Sequence, residues 1–179
     1  MIKFIIDEKA MRADHRVPQW IKDDPSILIP RRSTKGSAGY DVVVPYDFEI
    51  TGGVLGSFIL DTFVSLEMDE GYYAAIHVRS SIGIKRYIRL LNSTAIIDSD
   101  FKDSIKIPLR KFVPVTDYFS AGDRIAQIVF SRYFLTDEDK EKTTKGVNKL
   151  NDRNGGIGST GPNIVINKEK LNISPKKEG

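Results

Sequence analysis

Four short polar islands interrupt an otherwise β-rich chain of 179 residues and hold most of its reactive groups. The first is Arg79-Ser80-Ser81, which closes the run YYAAIHV and is followed by Gly83. A guanidinium beside two hydroxyls and turn amides suits phosphate oxygens, because charge and several donors converge there. The same triplet also suits a strand end whose serine caps a short helix. The second island, NSTAIIDSDF, runs from Asn92 to Phe101 and places Asp98 after Ala95, Ile96 and Ile97. A carboxylate at the rim of a buried hairpin can act as general base toward water. Taken alone, Asp98-Ser99-Asp100 reads first as a β-turn. The third, GDRIAQ at Gly122 to Gln127, is turn chemistry leading into a strand. The fourth, GGIGSTG at Gly155 to Gly161, follows Arg153 closely. Its glycines let backbone amides approach an anion, with Ser159 and Thr160 adding hydroxyl donors, although such a stretch also reads as a linker.

Other reaction classes lack their residues. The two histidines, His15 and His77, stand far apart with no HExxH pattern, and His77 inside a strand reads as packing. Neither a GxxxxGK[ST] loop nor a GxSxG elbow occurs. With no cysteine, disulfides, thiolate metal sites and cysteine nucleophiles are all excluded. Hydrophobic residues make up 40% of the chain, enough for a packed core without metals or staples. The net charge of +3 lies partly in the tail, at Lys176 and Lys177, so no nucleic-acid partner is expected and an anionic small substrate suits the balance. No run of about 18 apolar residues occurs, and MIKFIIDEKA turns acidic too soon for a signal peptide. The expectation is a cytoplasmic protein with no membrane partner.

The elements that must position these groups are strands. Runs rich in Val, Ile, Phe and Tyr recur at Lys3 to Ile6, Tyr40 to Val44, Phe58 to Met68, Tyr72 to Val78, Tyr87 to Leu91, Ile105 to Leu109 and Ile125 to Phe134. Gly52-Gly53, Asp69-Glu70-Gly71 and Ala121-Gly122-Asp123 punctuate them. This spacing predicts an all-β sandwich, barrel or jelly roll. The best candidate helix starts near Ser80-Ser81, with a serine as cap. Residues 10–37, with Arg12, Arg16, Pro18, Pro25, Pro30, Arg31 and Arg32, read as an irregular excursion. Residues 135–161 pass from TDEDKEKTTK into the glycines and read as a mobile arm; beyond Pro162 come a possible strand, Asn163 to Ile166, and a basic end.

The order of the islands says more than any one of them. AGYD at Ala38–Asp41, RSS-x-G at Arg79–Gly83, N-x5-D at Asn92–Asp98, GDRIAQ at Gly122–Gln127 and GG-x-GSTG at Gly155–Gly161 resemble the five ordered motifs of the trimeric dUTPases. The resemblance spans residues 38–161. It implies a jelly roll, or distorted β-barrel, that forms a homotrimer with active sites shared between subunits and closed by a mobile glycine-rich C-terminal arm. The implied organisation is a β domain at 1–150 with the insertion at 10–37, a lid arm at 151–161 and an extension at 162–179. The implied reaction is Mg²⁺-dependent hydrolysis of dUTP to dUMP and pyrophosphate, which lowers dUTP and supplies dUMP for dTTP synthesis. By the same resemblance, Asp98 would activate the water that attacks the α-phosphorus. Arg79, Ser80 and Ser81 would hold phosphate oxygens, supported by Gln127. Asn92 and the backbone of Ala95, Ile96 and Ile97 would read uracil, with Lys106 contributing through its main chain. Phe101 would pack on deoxyribose. Arg153, Gly158, Ser159 and Thr160 would close on the γ-phosphate, Ile157 would lie over the base, and Asp41 would stand near the metal through water.

The chain departs from the pattern in places. Phe101 stands where the family usually has tyrosine; it keeps the ring that excludes a 2′-hydroxyl. Ile157 replaces the usual phenylalanine of the arm and cannot stack as a flat ring. Ala95 replaces a frequent glycine, and Arg153 sits one residue nearer the glycines than in many relatives. Two other readings use the same fold. A dCTP deaminase needs a glutamate ten residues past the hairpin aspartate, and Pro108 stands there. A non-catalytic dUTP-binding regulator fits Ile157 and the extra segments, but has no need of Asp98.

Overall fold

The computed structural model describes residues 1–53 and 56–140. Arg153, Ile157, Gly158, Ser159 and Thr160, with the expected lid arm and C-terminal extension, lie outside the described residues. Among the described residues eleven strands carry the architecture: β1 (Ile2–Ile6), β2 (Tyr40–Val43), β3 (Phe48–Thr51), β4 (Ser57–Asp61), β5 (Val64–Met68), β6 (Tyr72–Val78), β7 (Ile88–Leu90), β8 (Ala95–Asp98), β9 (Lys106–Lys111), β10 (Thr116–Phe119) and β11 (Arg124–Arg132). Helices α1 (Glu8–Ala13) and α2 (Gln19–Asp23) and a 3-10 turn (Pro25–Leu28) precede β2, and α3 (Ser80–Arg86) joins β6 to β7.

These strands pair antiparallel throughout. A four-stranded sheet has the order β2-β11-β6-β8, a three-stranded one β4-β9-β7, and β1-β5 and β10-β3 form two ribbons. The expected all-β jelly-roll class is what these pairings, with the structural likenesses described below, support. Strand periodicity sorts the faces. In β9, Ile107, Leu109 and Lys111 are buried while Lys106, Pro108 and Arg110 are less so. In β5 it is Val64, Leu66 and Met68 that turn inward. The middle of β6 departs from alternation: Ala74, Ala75 and Ile76 are all buried, as in a strand covered on both faces. Phe48 stacks on Phe58 at 4.2 Å and on Phe119 at 4.9 Å between ring centroids, tying β3, β4 and β10 together.

Two expectations are corrected here. The run Phe58 to Met68 is two strands, because the chain turns at Thr62-Phe63. Phe63 takes a positive φ of 56°, and the buried Thr62 hydroxyl donates to the Ile105 carbonyl at 2.8 Å. Within residues 10–37 the stretch up to Leu28 holds two helices and a 3-10 turn, and only 29–37 keeps the irregular course expected of the whole. Asp7 caps α1 by accepting the Ala10 amide at 2.9 Å, and Asp24 caps the 3-10 turn that begins at Pro25. Arg12 donates to the Lys22 carbonyl at 2.7 Å and locks α1 to α2. Met11, Val17, Ile21 and Leu28 sink into the common core. Arg16 lies 3.9 Å above the Tyr46 ring, and its hydrogen bonds hold the Asp14 carboxyl down at about 2. Among the described residues no helix is long and apolar enough to cross a membrane.

Candidate active site

The sheet order places the first groups of the site. β2 and β6 flank β11, so Asp41 stands opposite Gln127, and Gln127 opposite His77. Arg79 follows directly on β6, and its amide donates to the Ile125 carbonyl at 3.0 Å. Its Nε lies 3.2 Å from Asp41 Oδ1, and its Nη1 donates to the Arg124 carbonyl at 3.2 Å. Arg124 Nη1 donates to Asp41 Oδ2 at 3.0 Å and to Ser33 Oγ at the same distance. Ser33 Oγ donates in turn to Asp41 Oδ2 at 2.6 Å. Asp41 is only 8% exposed, and this burial is tolerable because two guanidinium groups and a hydroxyl share its carboxylate. Gly39 lets the half-buried Gln127 amide lie against the backbone, since a Cβ there would overlap that side chain.

Ser80 and Ser81 form the exposed first turn of α3, but no serine side chain caps it. Arg79 occupies the cap position without a side-chain hydrogen bond, so the expected serine cap is not found. Both hydroxyls are thereby left to other donors and acceptors. Beside them opens a cleft of about 460 Å³ lined by Arg79, Ser81, Lys85, Arg86, Gly122, Asp123 and Arg124. The lining carries four cations and one carboxylate, with Asp41 and Asp117 paired to three of the cations, and this excess of donors suits an anion. Arg86 is held over the Phe119 ring at 4.6 Å and donates to the Tyr118 carbonyl at 3.1 Å.

The groups expected on a hairpin lie elsewhere, on and beside β8 and β9, which stand in different sheets and do not pair with each other. Asn92 is exposed in the turn before β8, where its carbonyl accepts the Thr94 amide at 2.7 Å and Ser93 takes a φ of 62°. On β8, Ala95 and Ile97 face the core while Ile96 is 52% exposed. β8 is an edge of its sheet, where backbone donors and acceptors can meet a ligand. Asp98 lies opposite Tyr73, and its carbonyl accepts the Phe101 amide at 3.2 Å. Phe101 is half-buried against the core, and Lys106 is exposed at the start of β9. Asp98 is therefore at the Tyr73 end of β6 and Arg79 just beyond the Val78 end. Six residues of extended chain, at about 3.3 Å each, separate the two by roughly 20 Å. One chain brings together Arg79, Ser80, Ser81, Asp41 and Gln127; Asn92, Ala95 to Asp98, Phe101 and Lys106 lie outside that cluster, with Asp98 farthest along β6.

Among the described residues no cluster of three His, Cys, Asp or Glu side chains could cage a metal. Asp41 is engaged by arginines, so this chain's donors fit a Mg²⁺ carried on substrate phosphates and touched through water, rather than one bound directly. Sequence reasoning missed Lys85, Arg86, Asp123, Arg124 and Ser33 as parts of this region. Lys85 was accessible, since Ser81 and Lys85 share a helical face at i,i+4. Arg124 was visible in GDRIAQ only as part of a turn. Ser33 carries no pattern at all.

A sequence profile described as dUTPase matches residues 26–161. The deoxyuridine 5'-triphosphate nucleotidohydrolase of Wolinella succinogenes is 34% identical over 145 residues, covering 79% of this chain and 91% of that one. The Finegoldia magna enzyme of the same name is 36% identical over 134 residues, covering 74% and 91%. The crystal structure of dUTPase from Streptococcus mutans superposes with a TM-score of 0.58 at 30% identity, over 63% of this chain and 91% of that one. A mutant dUTPase from phage phi11 of S. aureus, whose structure reveals the coordination of a structural Mg(II) ion, has a TM-score of 0.58 at 15% identity, over 76% and 94%. That last likeness bears on the fold alone.

Proposed function

The chain belongs to the dUTPase family, and on that premise we propose that it hydrolyses dUTP to dUMP and pyrophosphate, with Asp98 as the base that activates the attacking water. The observation that carries the reading is the arginine cluster on Asp41 at the edge of a basic cleft. Two guanidiniums fixed before substrate arrives can meet triphosphate oxygens without reorganising, which is where charge stabilisation is largest. Ser80 and Ser81 add hydroxyl donors, and Gln127 supports the cluster.

In the proposed step, water attacks the α-phosphorus as Asp98 takes its proton, and the bond to the bridging oxygen breaks to release pyrophosphate. Asn92 and the backbone of Ala95, Ile96 and Ile97 read the uracil edge. Cytosine reverses one donor–acceptor pair, so buried groups would be left unpaired. Phe101 packs on deoxyribose and excludes a 2′-hydroxyl. Mg²⁺, when bound to the triphosphate, neutralises charge, and Asp41 would approach it through water. Because Asp98 and Arg79 are roughly 20 Å apart in one chain, the complete site needs a second copy. A homotrimer with shared sites supplies it, and residues 151–161 act as the lid, with Arg153, Ser159 and Thr160 on the γ-phosphate, Ile157 and Gly158 over the nucleotide. Residues 1–150 form the catalytic β domain and 162–179 an extension.

Product analysis on a nucleotide panel with Mg²⁺ tests the reading. It predicts dUMP and pyrophosphate from dUTP, with dCTP, dTTP and UTP nearly untouched. Ammonia released from dCTP, or dUTP bound but never cleaved, would reject it.

A further inference from the structure

We infer that Ser33, which lies outside every recognisable motif, is a positioning residue that sets the Arg124 guanidinium for anion binding in the cleft. The inference rests on the proposed phosphate role of that cleft. A hydroxyl has one proton and two lone pairs, and Ser33 uses both functions on the same cluster. It donates to Asp41 Oδ2 at 2.6 Å and accepts from Arg124 Nη1 at 3.0 Å. Arg124 Nη1 is thus shared between Ser33 and Asp41, which fixes the direction of its fork. The other N–H groups of the fork are what Arg124 can offer to an anion.

The chain around Ser33 is built to hold it there. Arg31 and Asp41 form a backbone bridge, with amide-to-carbonyl distances of 3.3 and 2.9 Å. Ser33 follows two residues later, on the side of Asp41. Arg32 turns back onto the carbonyls of Lys35 and Ser37, and Thr34 bonds the Ser37 hydroxyl at 2.8 Å, closing the loop on itself. Upstream, the buried Leu28, Ile21 and Met11 anchor the segment in the core. The same segment reaches the cleft a second time, because a Cβ on Gly122 would stand 3.3 Å from Trp20 of α2. Residues 10–37 therefore brace the arginine end of the sheet.

Ser33→Ala, Ser33→Thr and Thr34→Ala separate positioning from simple loop stability. Thr34 serves the loop but does not touch Asp41 or Arg124. Two readouts are taken: steady-state dUTP hydrolysis, and calorimetric affinity for pyrophosphate, which needs no turnover. Ser33 is surface-exposed and competes with water, so Ser33→Ala should raise KM and weaken pyrophosphate by about fivefold, with kcat changed less than about twofold. Ser33→Thr should restore both, and Thr34→Ala should leave both within about twofold of the parent. Equal losses in Ser33→Ala and Thr34→Ala, no loss in Ser33→Ala, or no recovery in Ser33→Thr would each overturn the inference. A parent chain that binds pyrophosphate in a Ser33-dependent way but never cleaves dUTP would sink the proposed function alone. A parent that binds no pyrophosphate sinks both.

Discussion

The two ends of β6 are chemically opposite. At the Val78 end the chain runs into a locked lattice of charge, in which Arg79 and Arg124 share Asp41 and Ser33 pins the arrangement. Along Tyr73–Ile76 lies β8, an edge strand with Ala95 and Ile97 turned to the core, Ile96 outward, and Asp98 at the Tyr73 end. The first end presents fixed guanidinium groups that the proposal gives to phosphate oxygens. The second offers a carboxylate and a readable backbone edge, with no arginine in β8 to hold a phosphate. In the proposed reading each is half of a site, and β6 between them keeps the halves apart. Division of labour along a sheet therefore makes assembly a condition of catalysis in this account, not an addition to it.

The sharpest way to break the contrast is to remove the base. Asp98→Asn should lower kcat by about a thousandfold while leaving dUTP affinity within a few-fold, because the amide keeps the shape and loses the proton acceptor. Unchanged turnover would take Asp98 out of the mechanism. A smaller effect is expected at the opposite end. Arg79→Lys keeps one charge but cannot bond Asp41 and the Arg124 carbonyl together as a planar fork does. It should reduce kcat/KM by about a hundredfold, much of it in KM. A loss confined to kcat would mean that Arg79 serves the transition state alone and not the anchored phosphates.

Much of this arrangement was legible in the chain, and the illegible parts share a cause. β6 was readable as Tyr72 to Val78 because two tyrosines, Ile76 and Val78 mark a strand directly after the turn at Asp69-Glu70-Gly71. β3 and β10 were not, since four residues each, including Asp117, give too short a pattern to stand above its surroundings. The prolines of residues 10–37 suggested irregular chain, yet Pro18 and Pro25 sit where helices begin, a position that needs no amide donor. Asp98 and Arg79 could be picked out as candidates from the order and spacing of the motifs. Their separation could not, because it depends on which strand pairs with which and in what register. Ser33 was invisible for the same reason: its partners, Asp41 and Arg124, meet it only after β2 and β11 have paired.

The most direct test mixes two crippled chains. Arg79→Ala and Asp98→Asn protomers, each nearly inactive alone, are unfolded together, refolded at equal ratio and assayed for dUTP cleavage. If the arginine of one copy faces the aspartate of the next, half the sites draw an intact Arg79, and half of those an intact Asp98. Activity should then recover to about a quarter of the wild-type level. Mixed assemblies no more active than their parents would place both groups in one chain's site and contradict the account.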